Sequence, residues 1–184
     1  MSTTTQALLT ADEFMRLHGG ETYVDLVDGK VERQPMPHRL HGYICSNVAF
    51  ALGTFVRERD LGRIMTNDTF VRIRRDPDTL RGADVMYMSY ERLPKGPIPE
   101  NALDPAPELV VEVRSPSNTW ASLVAKGLDY LNVGVNVVLL IDPDSATVSV
   151  YRLNEIQQVY DNGDELTLPD VLPGFAVSVK RFFE

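Results

Sequence analysis

The sequence predicts an α/β domain with a mixed central β-sheet flanked by helices, and three observations support this. Residues 108–141 read as a buried strand, an amphipathic helix and a second apolar strand, which indicates a right-handed crossover joining parallel strands. Residues 23–34 read as a β-hairpin. The 184 residues, 43% hydrophobic and 24% charged, fit one domain able to bury most of its apolar surface. We therefore expect a single domain over residues 1–184.

The N-terminal part of the chain predicts a helix, a hairpin and a second, longer helix. Thr10 and Glu13 have the spacing of a capping box, so the segment ADEFMRLH should be helical. Asp28-Gly29 is a strong two-residue turn signal between YVDLV and KVERQ, which should pair as strands. Apolar residues recur at helical spacing from His41 to Arg59, which predicts a long amphipathic helix.

The rest of the chain predicts mainly strands around one helix. RIMTNDTFVRIR indicates two short strands around Asn67-Asp68, and ADVMYMS indicates another. Residues 95–107 contain four prolines and predict a loop. Ser117 or Asn118 can cap a helix that ends near Gly134. VNVVLLID then indicates a strand covered on both faces, and ATVSVYRL an alternating partner.

Composition and motifs narrow the class of protein. The N-terminal segment MSTTTQALLTADEF lacks the regions of a signal peptide and no apolar run reaches the length of a membrane span, so we expect a cytoplasmic protein without a membrane partner. Cys45 is the single cysteine, which excludes an internal disulfide framework and favours a small buried side chain. His38, His41 and Cys45 are spaced like metal ligands, but Pro37 and the missing fourth ligand argue against zinc. Serine hydrolase, nucleotide triphosphatase and dinucleotide-binding motifs are absent from the sequence.

Charge is unevenly distributed along the chain. The formal net charge is -8, yet residues 57–95 contain 9 basic and 7 acidic residues. Arginines of this segment could line one rim of a cleft and contact an anionic partner. The alternative is an ordinary solvated surface, since acidic residues interleave with them. The arginines concerned are Arg57, Arg59, Arg63, Arg72, Arg74, Arg75 and Arg81.

Two carboxylates fall in strands that otherwise read as core. Side chains alternate along a strand, so Glu112 faces away from Val111 and Val113, while Asp84 lies in a different apolar strand. A buried carboxylate without a partner costs several kcal/mol, so something must compensate both. Mg²⁺ does so well, because it binds carboxylates together with water and phosphate oxygens. Lys126, on the following helix, could orient the attacking water or offset charge on a phosphate.

Each of these side chains also has a purely structural interpretation. The two carboxylates could pair with Arg114 or other arginines in a buried ion-pair network. Lys126 could be an ordinary lysine on a helix surface. Tyr130, one turn beyond Lys126, could line the cleft or belong to the core. His41 could carry a proton or contact phosphate, or it could cap the start of its helix.

Several segments in the same order resemble the bacterial family named "putative restriction endonuclease" within the PD-(D/E)XK nuclease superfamily. The resemblance covers nearly the whole chain and implies a restriction-endonuclease-like fold with an N-terminal hairpin and a C-terminal β extension. The order and spacing of the segments make the combination specific. The segments are DLVDGKV at 25–31, the helix opening with His41-Gly42, GADV at 82–85, PELVVEVRSPS at 107–117, KGLDY at 126–130, GVNVVLLIDP at 134–143 and LPGFAVSVKRFF at 172–183.

The resemblance assigns roles to individual positions. Asp84 resembles the aspartate of the PD element, although Ala83 stands where the proline would be. Glu112 resembles the second acid, and the usual lysine two residues later would fall on Arg114. In this family the lysine lies on the next helix instead, at a position that resembles Lys126. Because arginine stays charged and cannot act as a base, Lys126 is the expected catalytic cation and Arg114 a candidate phosphate contact.

These assignments imply a Mg²⁺-dependent endonuclease that hydrolyses phosphodiester bonds in DNA, with Mn²⁺ as a substitute metal. Asp84, Glu112 and the carbonyl of Val113 would hold the metal. Asp25, where the family typically has glutamate, would be a secondary or water-bridged ligand. A two-fold homodimer would suit cleavage of both strands. The alternative function is a catalytically inactive nuclease-like fold that acts as an oligomeric binding or regulatory module.

Overall fold

The computed structural model describes residues 7–99 and 102–184, and it confirms the predicted mixed α/β fold. The helices are α1 (Ala11–His18), α2 (Arg39–Glu58), α3 (Trp120–Asn132) and a closing 3-10 helix (Val179–Phe182). The strands are β1 (Val24–Val27), β2 (Lys30–Arg33), β3 (Gly62–Arg74), β4 (Thr79–Ser89), β5 (Leu109–Val113), β6 (Val137–Asp142), β7 (Thr147–Tyr151), β8 (Gln158–Tyr160), β9 (Glu165–Leu168) and β10 (Leu172–Ser178). No helix in the described ranges has the length and apolar character needed to cross a membrane.

Strand β4 lies at the centre of an eight-stranded mixed sheet. The sheet runs in the order β2-β1-β4-β5-β6-β7-β8, with β3 also paired to β4. Strands β5 and β6 are parallel and are joined through α3, as the sequence predicts for this crossover. All other pairings in the sheet are antiparallel. The right-handedness of the crossover stays a prediction.

The N-terminal elements form for the local reasons expected. The Thr10 hydroxyl accepts a hydrogen bond from the backbone N–H of Glu13, and the Glu13 carboxylate accepts one from the backbone N–H of Thr10. This reciprocal pair satisfies two donors that the first turn of α1 leaves free. Asp28 and Gly29 both have positive φ, 51° and 73°, as a two-residue turn between twisted strands requires.

Two local predictions are wrong. Residues 62–74 form one long strand rather than two, because Asn67 and Asp68 make a β-bulge within it instead of a turn. Helix α3 is capped by Thr119 rather than Ser117 or Asn118, since the Asn118 side chain already accepts a hydrogen bond from Ser115. Within the predicted loop at 95–107, residues 100 and 101 lie outside the described residues, and the rest contains no helix or strand.

The central sheet is covered on both faces. Leu109, Val111 and Val113 of β5 face a large core that also includes α2, β9, β10 and the 3-10 helix. Val110, between them in the sequence, faces a second core beneath α3. Glu112 points to the same side as Val110, as strand alternation predicts. The charged site therefore lies on the α3 side of the sheet, at the end of β5.

Candidate active site

A cavity of about 320 Å³ lies between β1, β4, β5, α2 and α3. Charged side chains from these elements and from β2 and β3 line it, together with serine and asparagine side chains from the segment between β5 and α3. Acidic groups outnumber basic ones in the lining. The acidic residues are Asp25, Glu32, Asp68, Asp84 and Glu112, and the basic ones are His41, Arg81 and Lys126.

Asp84 is held in place by the neighbouring strand and by α2. Its Oδ2 accepts a hydrogen bond of 2.7 Å from the backbone N–H of Val113. The same oxygen lies 3.2 Å from His41 Nε2, and both side chains are largely buried. Pairing of β4 with β5 brings Asp84 beside Val113 and hence near Glu112. The structure therefore brings Asp84, Glu112 and His41 together in one cavity.

Glu112 is buried at 4% exposure and both of its carboxylate oxygens have partners on α3. Lys126 Nζ donates to Glu112 Oε2 at 2.8 Å, and the Tyr130 hydroxyl donates to Oε1 at 2.9 Å. The two α3 residues are one turn apart, so they reach the same carboxylate from one helix face. Tyr130 is fully buried and lies outside the cavity lining, which places its ring in the core and its hydroxyl behind Glu112.

Gly82 on β4 connects three of these side chains through its main chain. Its carbonyl accepts a hydrogen bond from Lys126 Nζ at 2.8 Å and lies 3.1 Å from the Tyr130 hydroxyl oxygen, whose single proton it shares with Glu112 Oε1. Its N–H donates to Asp25 Oδ1 at 2.9 Å. The other oxygen of Asp25 accepts longer bonds from Arg81 at 3.3 Å and Gln34 at 3.4 Å. Asp25 therefore lies in the cavity wall with protein donors on both oxygens.

Asp68 is a site residue that the sequence analysis did not identify. The register of β3 and β4 sets Asn67 and Asp68 opposite the single residue Asp84, so the bulge directs Asp68 into the cavity. Both bulge residues have positive φ. A Cβ on Gly82 would lie 2.9 Å from the Asp68 Cβ, so only glycine leaves room for this approach. Aspartate and asparagine tolerate the left-handed conformation, and this was the signal available in the sequence.

The carboxylates perturb one another's protonation. Burial raises the pKa of Glu112 from 4.5 to about 7, and the charge of Asp84 adds to the rise while Lys126 opposes it. Burial, followed by the charge of Asp84, also raises the pKa of Asp68. Burial lowers the pKa of Lys126, but the charges of Glu112, Asp25 and Asp84 outweigh it and the net pKa is raised. Lys126 therefore stays protonated at neutral pH.

A second cavity, of about 340 Å³, adjoins the first and shares Asp68, Asp84 and His41 with it. Cys45 also lines it, and the Cys45 Sγ lies 3.5 Å from His41 Nδ1. The ligand atoms of His41, Cys45 and Asp84 all lie within 4.8 Å of one another, so these residues could hold a metal ion. Burial lowers the pKa of His41, but the hydrogen bond and charge of Asp84 raise it, with a net rise above 6.5.

Comparison with known proteins identifies the family. The model of the Uma2 family, described as "Putative restriction endonuclease", matches residues 11–180. The chain belongs to the Uma2 family. A crystal structure described as a putative nuclease belonging to DUF820 from Anabaena variabilis ATCC 29413 is 26% identical and has a TM-score of 0.82, with 95% of this chain and 97% of that chain covered. No curated protein matches the chain. The Uma2 family and the solved neighbour support nuclease function in general.

One family-derived position does not reach the cavity. The Arg114 guanidinium donates from Nε to Asp142 Oδ1 at 2.9 Å and also pairs with Asp144. Arg114 lines a different pocket, between the start of α2 and the turn after β6. Its role as a phosphate contact in this Uma2 protein would require these two acidic partners to release it.

The arginine-rich segment also does not form a rim. Of its seven arginines, Arg81 lines the main cavity, whereas the others lie elsewhere. Arg74 pairs with Asp28 at the hairpin turn, and Arg75 with Asp104 in the proline-rich loop. Of the two alternatives for this segment, the structure therefore favours an ordinary surface over a basic rim.

The donor set of the main cavity fits a divalent cation. Asp68 Oδ2 is buried without a hydrogen-bond partner in the described part of the chain. Glu112 is also buried at a position where its negative charge is unfavourable, as its raised pKa shows. A hard cation bound by oxygen ligands would relieve both effects.

Proposed function

We propose that this Uma2 protein is a divalent-metal-dependent endonuclease that hydrolyses phosphodiester bonds, with DNA as the substrate. The observation that carries the proposal is the convergence of Asp84 from β4, Glu112 from β5 and Lys126 from α3 on one cavity. Two acids and a lysine from separate elements are the groups that phosphodiester hydrolysis requires around a metal.

Asp84 and Glu112 would hold Mg²⁺ or Mn²⁺, and the carbonyl of Val113 would add a ligand. The chemistry that a bound cation supplies is Lewis-acid stabilisation of the negative charge that builds on the phosphate. Asp25 accepts hydrogen bonds from the Gly82 N–H and from Arg81, and we assign it the role of fixing both in the cavity wall. Asp68 would add negative charge that strengthens cation binding.

Lys126 acts in this proposal as a fixed cation rather than as a base. Its raised pKa keeps it protonated at neutral pH. Two of its N–H groups are committed to Glu112 and to the Gly82 carbonyl, which orient the third. The third can donate to a phosphate oxygen or to the attacking water, and the positive charge offsets the charge of the transition state.

His41 is the candidate proton donor to the leaving oxygen. Burial lowers the pKa of His41, but the hydrogen bond and charge of Asp84 produce a net rise, which favours the protonated form that a proton donor needs. Hydrolysis breaks one P–O bond, and the departing alkoxide needs a proton from such a group. Its ring lies in the cavity wall between α2 and β4.

Plasmid nicking in Mg²⁺ or Mn²⁺ tests the proposal directly. Wild-type protein should convert supercoiled plasmid DNA into the nicked form. Glu112→Gln should lose this activity because one metal ligand is gone. Glu165→Gln on β9 removes one carboxylate from an exposed position outside the cavity and should cleave like wild type. Equal cleavage by wild type and Glu112→Gln would refute the mechanism.

A non-catalytic binding or regulatory module is the second candidate. The observation that favours it is the closed network around Glu112, where Lys126 and Tyr130 already satisfy both oxygens. Titration with millimolar Mg²⁺ or Mn²⁺ separates the two functions, since a module without catalysis should show no thermal stabilisation by either metal. Under the nuclease proposal we expect a homodimer, because cutting both strands takes two cavities.

A further inference from the structure

We propose that Cys45, His41 and Asp84 form a second cation site, which takes a thiophilic metal such as Zn²⁺ or Cd²⁺. The site lies in the cavity beside the one that contains Glu112. One ligand atom from each of the three residues lies within 4.8 Å of the other two. Sulfur and imidazole ligands favour Zn²⁺ and Cd²⁺ over Mg²⁺, which prefers oxygen.

The spacing of sulfur and nitrogen matches a tetrahedral metal site. With a Zn–S bond of about 2.3 Å and a Zn–N bond of about 2.1 Å, tetrahedral geometry sets the two ligand atoms roughly 3.6 Å apart. Cys45 Sγ and His41 Nδ1 are 3.5 Å apart. They are one turn apart on α2, so the helix itself maintains this spacing. The same distance suits a thiol hydrogen bond, so the deciding experiment has to detect the metal.

Asp84 both orients the histidine and completes the triad. Its Oδ2 faces His41 Nε2 at 3.2 Å, which favours a proton on Nε2 and leaves the lone pair of Nδ1 directed toward Cys45. A metal on Nδ1 would lie at the opposite edge of the ring from this contact, so Asp84 acts through His41 rather than as a direct ligand. Asp68 lines the same cavity and adds negative charge, and its carboxylate and water would take the remaining positions. On binding, Cys45 loses its thiol proton to the buffer.

The sequence gives no indication of this triad. His38, His41 and Cys45 are the nearby candidates along the chain, whereas the structure replaces His38 by Asp84 from β4. His38 is the N-cap residue of α2 and lines a different pocket. His38→Asn is therefore a matched control for His41→Asn.

The experiment is a titration of metal-free protein with Cd²⁺, followed by the ultraviolet charge-transfer absorption of the cadmium–thiolate bond. Wild type should develop this absorption with saturation at one equivalent. Cys45 is the single cysteine, so the signal has one source. Cys45→Ser should show none, and the Kd for Zn²⁺ by competition with a chromophoric chelator should rise at least about tenfold. Thermal melts without metal establish that each variant is folded.

The other two residues of the triad are tested in the same way. His41→Asn and Asp84→Asn should each weaken Cd²⁺ binding by about 10-fold to 100-fold, whereas His38→Asn should match wild type. Unchanged affinity in both triad variants would show a simple thiol adduct and overturn the proposal. A missing thiolate signal in folded wild type would overturn it as well.

A consequence for activity rests on the proposed nuclease function. Because Asp84 belongs to both sites, Zn²⁺ should inhibit Mg²⁺-dependent nicking. The half-inhibitory Zn²⁺ concentration should rise at least about tenfold in Cys45→Ser. The rate of each variant is normalised to its own rate without Zn²⁺. Equal Zn²⁺ sensitivity would overturn the shared role of Asp84. If the wild type does not nick DNA, the nuclease proposal fails, while the Cd²⁺ titration still decides the metal site.

Discussion

Replacing Glu112 by glutamine should stabilise the metal-free protein at high pH while abolishing nuclease activity. Glutamine preserves the size of the side chain but cannot ionise. Glu112 is 4% exposed, and burial raises its pKa to about 7. The substitution therefore removes a charge that the fold tolerates poorly without a cation.

The magnitude follows from proton linkage. Between pH 4.5 and about 7, folded protein keeps a proton on Glu112 that the unfolded chain has released, so the wild-type free energy of unfolding falls as pH rises. A pKa difference of about 2.5 units, at about 1.36 kcal/mol per unit, corresponds to about 3 kcal/mol lost by pH 8. Glu112→Gln has no ionisable group at this position, so its free energy of unfolding does not show this decrease.

Urea denaturation in EDTA, from pH 4 to pH 8, measures the effect. The difference in free energy of unfolding between Glu112→Gln and wild type should shift by about 3 kcal/mol in favour of the variant across this range. The difference between the two proteins is the relevant quantity, because ionisable groups that do not interact with Glu112 contribute equally to both. Glu165→Gln should follow the wild-type curve. Added Mg²⁺ should stabilise wild type at pH 8 and leave Glu112→Gln unchanged.

A pH-independent difference, or one that shifts against the variant as pH rises, would refute this reasoning. It would mean that Lys126 and Tyr130 compensate the charge of Glu112 completely. The carboxylate would then be a member of a structural ion pair, and the case for a cation in the cavity would lose its electrostatic basis.

Three further predictions concern the cavity and the helix α3 beside it. Lys126→Met should lower the nicking rate by a factor of about 10²–10³ in single-turnover assays. Cleavage by this variant at the wild-type rate would contradict the fixed-cation role. Gly82→Ala should lower the free energy of unfolding by about 1–3 kcal/mol in urea, because the new methyl group meets Asp68, whereas Gly163→Ala has open space and should be near neutral. Thr119→Ala should cost about 1 kcal/mol through loss of the α3 cap, and an unchanged urea midpoint would contradict the capping role.

The placement of Glu112 was predictable because strand periodicity depends only on local sequence. Alternation along LVVEV fixes which residues face α3, and the parallel partner after the helix fixes the direction of the chain. Helical spacing likewise sets Lys126 and Tyr130 on one face. Strand alternation and helical spacing do not depend on distant contacts, so the sequence alone predicts that Glu112 and its two α3 partners face the same side of the sheet.

The parts of the site that were not predicted depend on pairings between distant segments. Asp68 enters the cavity only because β3 bulges opposite Asp84, which is a matter of register and of the space that Gly82 leaves. Arg114 is withdrawn by Asp142, the last residue of β6, and by Asp144 in the turn after it, which lie 28 and 30 residues later in the chain. Sequence spacing contains no information about either arrangement.

The main-chain bonds of Gly82 have a consequence for any attempt to re-engineer this protein. Lysine, tyrosine and aspartate side chains are anchored to a backbone N–H and a carbonyl that are present with any side chain at position 82 except proline. Directed evolution cannot tune those anchors by side-chain exchange at position 82, since any Cβ there displaces the bulge. Libraries of variants with new specificity are best placed in the first hairpin and in the segment before α3. Substitutions there reshape the cleft and leave the hydrogen bonds to the Gly82 main chain intact.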